Sequence, residues 1–465
     1  MSNNNNQVRD DSSEPTIDRR RFLAGTAGTA AIGLLAGCSG GGGGSGDGSS
    51  GSGGSSGDGD GGSSSGGGTT TSSTSSDPIT IGASAALTGS YSVEGQALAK
   101  GYRMWVNMIN DSGGILTDSD EPGLLGRDVE ITILDDQSTP SRAVNLYQRL
   151  INQEGVDLLM GPYSSAVTNA VIPIIEQSQI PAVSAMGSDT SVYTERDVSY
   201  VVQAIAPSPT YVQGAIDLAV ENGAETLAAV YEDTAFPTSV VEGHVPYAEE
   251  QGLEVVYTDA YPADINDYTP IMREVQSADP DIVIGGGYTP DAIGLTQAAR
   301  SIGFSTGMFS WVVGGMAPSF YESVGEGVRA VTGDHWWTPN LNVPHNEGMV
   351  EAINQYHGDE YESLAEGVDY HFPGAAASAM VLEQAVRNVG ELDHAAIAEE
   401  LHSLEMGVPW GNGKYAVNDQ GVQTAHRPAL GQWQQAEEGD GLVREAVYPS
   451  DTATADAVYP HPGWN

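Results

Sequence analysis

From residue 79 onward the chain alternates between short apolar runs and longer runs with helical spacing, and that alternation leaves few folds open to it. Residues 79–85, 129–134, 157–161, 180–184 and 200–204 read as strands, and 226–231, 253–257, 281–285 and 309–312 repeat the pattern further on. Helices fill the gaps. In the first, Ala97, Leu98, Gly101, Trp105, Met108 and Ile109 recur on one face, and Gly113-Gly114 supplies its stop. Pro140 opens the next over 141–152, and 165–177, 210–222, 236–251, 268–277 and 290–302 follow. Strands alternating with helices in this way predict an α/β fold built on parallel sheets with helices on both faces. About nine such units are too many for one comfortable sheet, so two sheets and two lobes are expected.

The stretch Asp157-Leu-Leu-Met-Gly161-Pro-Tyr163-Ser164 has an echo in Asp281-Ile-Val-Ile-Gly285-Gly-Gly-Tyr288-Thr289. Each has an acid, three apolar residues, a Gly turn, then Tyr followed by a hydroxyl. Many parallel strands begin this way, so the echo is a weak repeat signal. Its use is positional: ligands of open α/β sheets bind beyond the carboxyl ends of the strands, where both segments put Tyr and Ser or Thr.

The first 76 residues belong to a different regime. Asp18-Arg19-Arg20-Arg21-Phe22-Leu23 precedes an apolar run that ends in Leu35-Ala36-Gly37-Cys38. The run from Phe22 to Gly37 is shorter than the roughly 20 residues a bilayer span needs. A basic patch, a short apolar run and small residues before a cut site describe an export signal over 1–37, here similar to a twin-arginine signal. Leu35 to Cys38 resembles a lipobox, which implies cleavage before Cys38 and lipidation of its sulfur; Cys38 is the single cysteine of the chain. Residues 38–76 are then almost entirely Gly, Ser and Thr and predict a flexible tether with a reach of roughly 30–37 Å. Gly46-Asp-Gly-Ser-Ser-Gly51 fits a dinucleotide fingerprint only in letters, since no strand precedes it and no helix follows. The Asp58 and Asp60 pair lacks the closing Glu of a calcium loop.

Charge bounds the medium and the partners. With 62 Asp and Glu against 17 Lys and Arg, the formal net charge is −45, and only Lys100 and Lys414 are lysines. Such a surface repels phosphates, which argues against nucleic-acid binding. It also repels itself unless salt screens it: near 1 M the Debye length falls to about 3 Å. The four basic and four acidic residues of 1–37 cancel, so the acidity belongs to the exported part. The balance is that of a halophile's protein.

No catalytic constellation emerges. There is no GxSxG elbow, no HExxH and no phosphate-binding GxxxxGK[ST], and the nine histidines match no metal spacing. The closest grouping, His335, His345, His357 and His371, reads as structural or surface histidine. Neither a cofactor nor an enzyme activity is expected. Binding features are stronger. Gly161-Pro-Tyr-Ser164-Ser165 ends a strand and opens a helix, an arrangement suited to a carboxylate. Ser184-Ala-Met186-Gly187-Ser188 and Leu87-Thr-Gly-Ser-Tyr91 also end strands with small hydroxylated residues. Phe236, Tyr288, Trp311, Trp336 and Trp337 supply candidate aromatic walls for a small-molecule cleft.

At this point the order of the motifs carries a resemblance. Ile81-Gly-Ala with Leu87-Thr-Gly, Leu134-Asp-Asp, Gly161-Pro-Tyr-Ser-Ser, Ile180-Pro-Ala-Val-Ser, Gly286-Gly-Tyr, Gln297-Ala-Ala-Arg-Ser-Ile-Gly and Gly-Asn-Gly-Lys414-Tyr with Gln432-Trp follow one another from Ile79 to Trp433. In that order the chain resembles the substrate-binding proteins of branched-chain amino acid ABC transporters, in a haloarchaeal form exported as a twin-arginine lipoprotein. The resemblance implies a type I periplasmic-binding-protein-like fold: two Rossmann-like lobes with parallel sheets, joined by a three-segment hinge. It assigns 78–203 plus 337–404 to the first lobe and 204–336 plus 405–465 to the second.

The resemblance also implies closure on a solute, delivery to ABC permease and ATPase subunits, and anchoring at the outer face of the membrane through Cys38. Ser165 and Ser188, with backbone at Met186, match the ligand-carboxylate contacts. Phe236 matches a ring over the ligand, and Tyr288 with Thr289 a second-lobe contact. Tyr91, Ser164, Ser184, Gly187, Trp311 and Trp336 complete the candidate site. One departure stands out. Amino-acid binders place an acid after the strand at 309–312, whereas here the segment is Ser310-Trp-Val-Val-Gly-Gly. Asp291, Glu322 and Asp334 are the substitutes within reach in sequence; otherwise the ligand lacks an ammonium, which keeps amides, urea-like molecules and aromatic acids open. Two other readings stand beside transport: a sensory module signalling through a separate membrane partner, and an exported hydrolase, for which no nucleophile and base are found. Asn110-Asp-Ser112 is a possible glycan site.

Overall fold

β1 (Ile79–Ala85) is buried along almost its whole length, because strands run parallel to it on both sides. In the computed structural model, which describes residues 77–464 apart from 117–120, 362, 437–440 and 451, it lies between β2 (Val129–Asp135) and β3 (Leu158–Met160). The expected signal peptide, the tether and Cys38 lie outside the described residues. β4 (Ala182–Ser184) and β5 (Val201–Gln203) extend the sheet to the order β2-β1-β3-β4-β5, a doubly wound arrangement. Its helices are α1 (Ser92–Ser112), α2 (Pro140–Arg149), α3 (Ser165–Ser178) and the short α4 (Ser191–Thr194). α1 stops where Gly113 takes φ 75° and its N–H caps the Ile109 carbonyl, as the glycine pair predicts.

The second sheet repeats the plan. After α5 (Gln213–Glu221) come β6 (Thr226–Glu232), α6 (Ala235–Glu250), β7 (Glu254–Tyr261), α7 (Thr269–Ala278), β8 (Ile282–Gly286), α8 (Thr289–Ser301), β9 (Met308–Trp311), α9 (Pro318–Val324) and β10 (Thr332–His335). The chain then adds α10 (Asn346–His357), α11 (Leu364–Gly367), α12 (His371–Val389), α13 (His394–Ser403), a two-stranded ribbon of β11 (Met406–Gly407) and β12 (Lys414–Tyr415), and finally β13 (Ala429–Gln435) and β14 (Leu442–Tyr448). The sheet order is β14-β13-β10-β9-β8-β6-β7, with β6 to β10 parallel and β13 and β14 joining antiparallel at one edge.

The sequence echo is a structural one. The Asp157 carboxylate accepts from the N–H (2.8 Å) and hydroxyl (3.0 Å) of Thr80. In the second sheet the Asp281 carboxylate accepts from the N–H and hydroxyl of Thr226, both at 3.0 Å. Each staple ties the start of the third strand of its sheet to the start of the first, and so fixes the register that carries Tyr163 and Tyr288 to matching strand ends.

The chain passes between the sheets three times: after β5, after β10, and before β13. The second passage brings α12 against α1, where it is buried nearly all round. Gly421 accepts from the Gln203 N–H, and Gln423 bonds Gln203 and the Ala204 carbonyl, so residues up to Gln423 stay with β5 before the chain joins the second sheet at Ala429. Asn110, the sequon residue, exchanges two hydrogen bonds of 2.8 Å with the backbone of Val129. Among the described residues no helix is long and apolar enough to cross a membrane.

Candidate functional site

Two loops at the carboxyl ends of β3 and β4 are tied into one surface. The Ser165 hydroxyl accepts from the N–H groups of Ser188 and Asp189, each at 3.1 Å. Ser184 accepts from the Gly187 N–H at 3.2 Å, while the Gly187 carbonyl takes the Tyr193 hydroxyl at 2.8 Å. Gly187 is small because it must be: a Cβ there would lie 2.7 Å from the Ser184 hydroxyl and from the Thr168 methyl. Ser164, in extended conformation at the start of α3, keeps a buried hydroxyl with no hydrogen-bond partner.

These loops face the second lobe across a small, tightly closed pocket. The first lobe supplies Tyr163, Ser164, Ser165, Met186 and Ser188. Phe236, Tyr288 and Val313 face them from the second. Ile205 and Tyr211, after β5, and Tyr370 and His371, at the start of α12, close the remaining sides. Every lining residue is at most 4% exposed, so the lobes are shut over the pocket. The Thr289 hydroxyl donates to Glu94 across the lobes at 3.0 Å, and Tyr91 lies against Tyr288 with ring centroids 4.7 Å apart.

Six of the candidates thus line the pocket: Ser164, Ser165, Met186, Ser188, Phe236 and Tyr288. The others stand behind it for reasons visible in their contacts. Ser184 and Gly187 shape the β4 loop, Tyr91 backs Tyr288, and Thr289 binds Glu94. Trp311 is packed in the second-lobe core with its indole N–H on Thr296 at 2.7 Å. Trp336 is wedged between Tyr211 and Trp410, with its N–H on Asp334, and Trp337 is held by Asn346. Tyr163 lines the pocket from the strand end the sequence marks, and Ile205, Tyr211, Val313, Tyr370 and His371 line it from positions that carry no sequence signal for binding.

None of the three suggested ammonium partners reaches it. Asp291 caps α8, accepting from the Tyr288 N–H at 2.7 Å and the Tyr268 hydroxyl at 2.8 Å. Asp334 accepts from the Val313 N–H at 2.6 Å and from Trp336. Glu322 is exposed on α9. Burial alone would strip the proton from His371, but Asp369, 2.6 Å from Nδ1, together with Glu94 and Asp334, outweighs it and raises its pKa above the ordinary 6.5. The Asp369 carboxyl in turn, against its burial, is drawn below its ordinary value by His371. Glu94 and Glu232 lie behind the rings. Burial raises both: Glu94 against the pull of His371, and Glu232, helped by Asp291, up to about 7.

Two doubly wound lobes shut on a buried pocket at their strand tips define the type I periplasmic-binding-protein fold. The chain belongs to the periplasmic binding protein family, whose model matches residues 78–440. The Leu/Ile/Val-binding protein homolog 7 of Brucella abortus is 24% identical over 404 residues, covering 83% of this chain and 95% of that protein. Among solved structures, a leucine-binding protein from Thermotoga maritima matches with TM-score 0.65 and 20% identity over 78% of this chain and 98% of its own. A solute-binding protein of an ABC transporter from Rhodopseudomonas palustris BisB5, in complex with 3,4-dihydroxybenzoic acid, matches with TM-score 0.68 and 16% identity over 83% of this chain and 99% of its own.

Proposed function

We propose that this chain is the extracytoplasmic solute-binding lipoprotein of an ABC importer. It takes up a small solute bearing a carboxylate or related polar group, branched-chain amino acids and their amide or acid relatives among them, and presents it to permease and ATPase subunits. Its mechanism is hinge closure: three chain passages let the lobes part, admit the solute and shut on it. We take the first lobe to run through Gln203 and to resume with α10 to β12. Cys38 carries the lipid, and the Gly/Ser tether lets the globule work just outside the membrane. The protein performs no turnover of its own.

The observation that carries this reading is the placement of a buried pocket between the lobes, with hydroxyls on one wall and rings on the facing one. A similar leucine-binding protein and a similar solute-binding protein in complex with 3,4-dihydroxybenzoic acid fit a pocket of this kind. The test is mass spectrometry of small molecules released by denaturing protein purified in molar salt, followed by calorimetry with the species found. A solute in stoichiometric amount, rebinding without chemical change, is the expected result. Conversion of that solute on incubation would restore the hydrolase, and no released or rebinding solute would leave the importer role without support.

A further inference from the structure

We propose that Glu94 is the latch of the shut molecule and that it engages as the uncharged carboxylic acid, so that closing the lobes takes up one proton. The proposal rests on the hinge closure of the solute-binding reading, and its test uses no solute. Its first support is where the carboxyl stands. Glu94 lies in the first turn of α1, in the first lobe, and is 1% exposed. Its Oε1 accepts from the hydroxyl of Thr289, the first residue of α8 in the second lobe, at 3.0 Å. Each half of this bond is fixed to its own lobe. Gly95 sets the first turn of α1 against the loop after β1, so closely that a Cβ would come 2.3 Å from the Ala86 carbonyl oxygen. Gly314 presses on the start of α8 in the same way, where a Cβ would lie 2.7 Å from the Thr289 Cα. The bond therefore reports on the position of the lobes.

The second support is what the carboxyl lacks. Its Oε2 is buried with no hydrogen-bond partner. Tyr91 and Tyr163 from the first lobe and Tyr288 from the second pack on one another with ring centroids 4.7, 5.9 and 6.3 Å apart, and the charge of Glu94 is felt at Tyr91 and Tyr163. A carboxylate held by one hydroxyl in such surroundings costs far more than a carboxylic acid. The titratable groups that face Glu94 are His371 and Asp369 at the start of α12, Tyr163 after β3 and Tyr91 before α1, while Thr289 brings no charge from α8. His371 pulls toward the charged form, but it is held by Asp369 at 2.6 Å, and Asp369 pushes the other way. Burial outweighs that pull and raises the carboxyl above its ordinary 4.5. When the lobes part, Thr289 withdraws, Glu94 meets water and its proton is lost. The shut form holds the extra proton, so closure is favoured in full below 4.5 and weakens as pH rises through the higher value.

The experiment is small-angle scattering of the full chain, dialysed free of solute in molar KCl to screen its surface charges, between about pH 5 and about pH 8. The ratio of shut to open molecules is expected to fall as pH rises, by at most about tenfold per pH unit, the limit for a single proton. Glu94→Gln keeps an uncharged acceptor for Thr289 and should stay shut across the range. Should that variant melt early, Thr289→Val, which removes the donor and keeps the shape, should be more open than the native chain at every pH while retaining the fall. A native ratio indifferent to pH, a Glu94→Gln ratio that falls as the native one does, or a Thr289→Val chain that scatters like the native one overturns the proposal. Each of these results leaves the solute-binding reading untouched, because no solute takes part; that reading stands or falls on the released solute.

Discussion

Ser165 and Ser164 are neighbours with opposite duties. The Ser165 hydroxyl already receives the two N–H groups that hold the Ser188 turn, whereas the Ser164 hydroxyl receives none. Ser165→Ala strands two buried donors, and an unsatisfied buried group costs about 1–3 kcal/mol. The substitution is expected to destabilise the chain on that scale and to loosen the Ser188 turn, lowering solute affinity along with it. Denaturant unfolding in molar salt reads the first effect and calorimetry the second. An unchanged unfolding midpoint would mean that the turn keeps its shape without the hydroxyl. His371 shows the other side of residue-scale chemistry. A lone histidine two residues after an aspartate carries little signal in sequence, and its pKa is raised against burial only because Asp369, Glu94 and Asp334 arrive around it from three parts of the chain.

At the scale of elements, what could be read was what is local. The strand and helix periods through β9 are set by neighbours in sequence, and so are the strand-tip serines, Phe236 and Tyr288, each within five residues of a strand's end. The unread parts are those that packing decides. α12 is apolar nearly all round, without the one-sided period that marks an exposed helix, and it delivers Tyr370 and His371. β13, with Gly431 and three glutamines, has no clean alternation, and Tyr211 lies on a passage between lobes. Trp311 and Trp336 were plausible walls as large aromatics, but their N–H partners lie in the core and turn them inward. The β4 loop offers a test of how tightly such an element is built. A methyl at Gly187 would press on the Ser184 hydroxyl and Thr168. Overpacking of this kind costs about 1–3 kcal/mol. Gly187→Ala should therefore lower the melting temperature and weaken solute binding together. A variant of native stability and affinity would show that the loop can give way around the added methyl.

For the whole molecule the governing quantity is charge. Even if each of the 17 Lys and Arg held one acid, 45 of the 62 would be left without a cation, which is the formal charge of −45. Lys100 is held by Glu360 at 2.6 Å. The acids are distributed over both lobes, and their mutual repulsion opposes the compact state and the closure of one lobe on the other. Salt acts on both. Raising ionic strength from 0.1 M to 1 M shortens the Debye length from about 10 Å to about 3 Å, below the spacing of most surface charges. The melting temperature is expected to climb over this range and then flatten, with KCl and NaCl equivalent, because screening depends on ionic strength rather than on the ion. Scattering should show a larger radius of gyration at low salt if the lobes spread before they unfold. A melting temperature indifferent to salt, or one that falls, would mean that burial in the two cores overrides the repulsion, and that the acidic surface serves solubility rather than a salty medium.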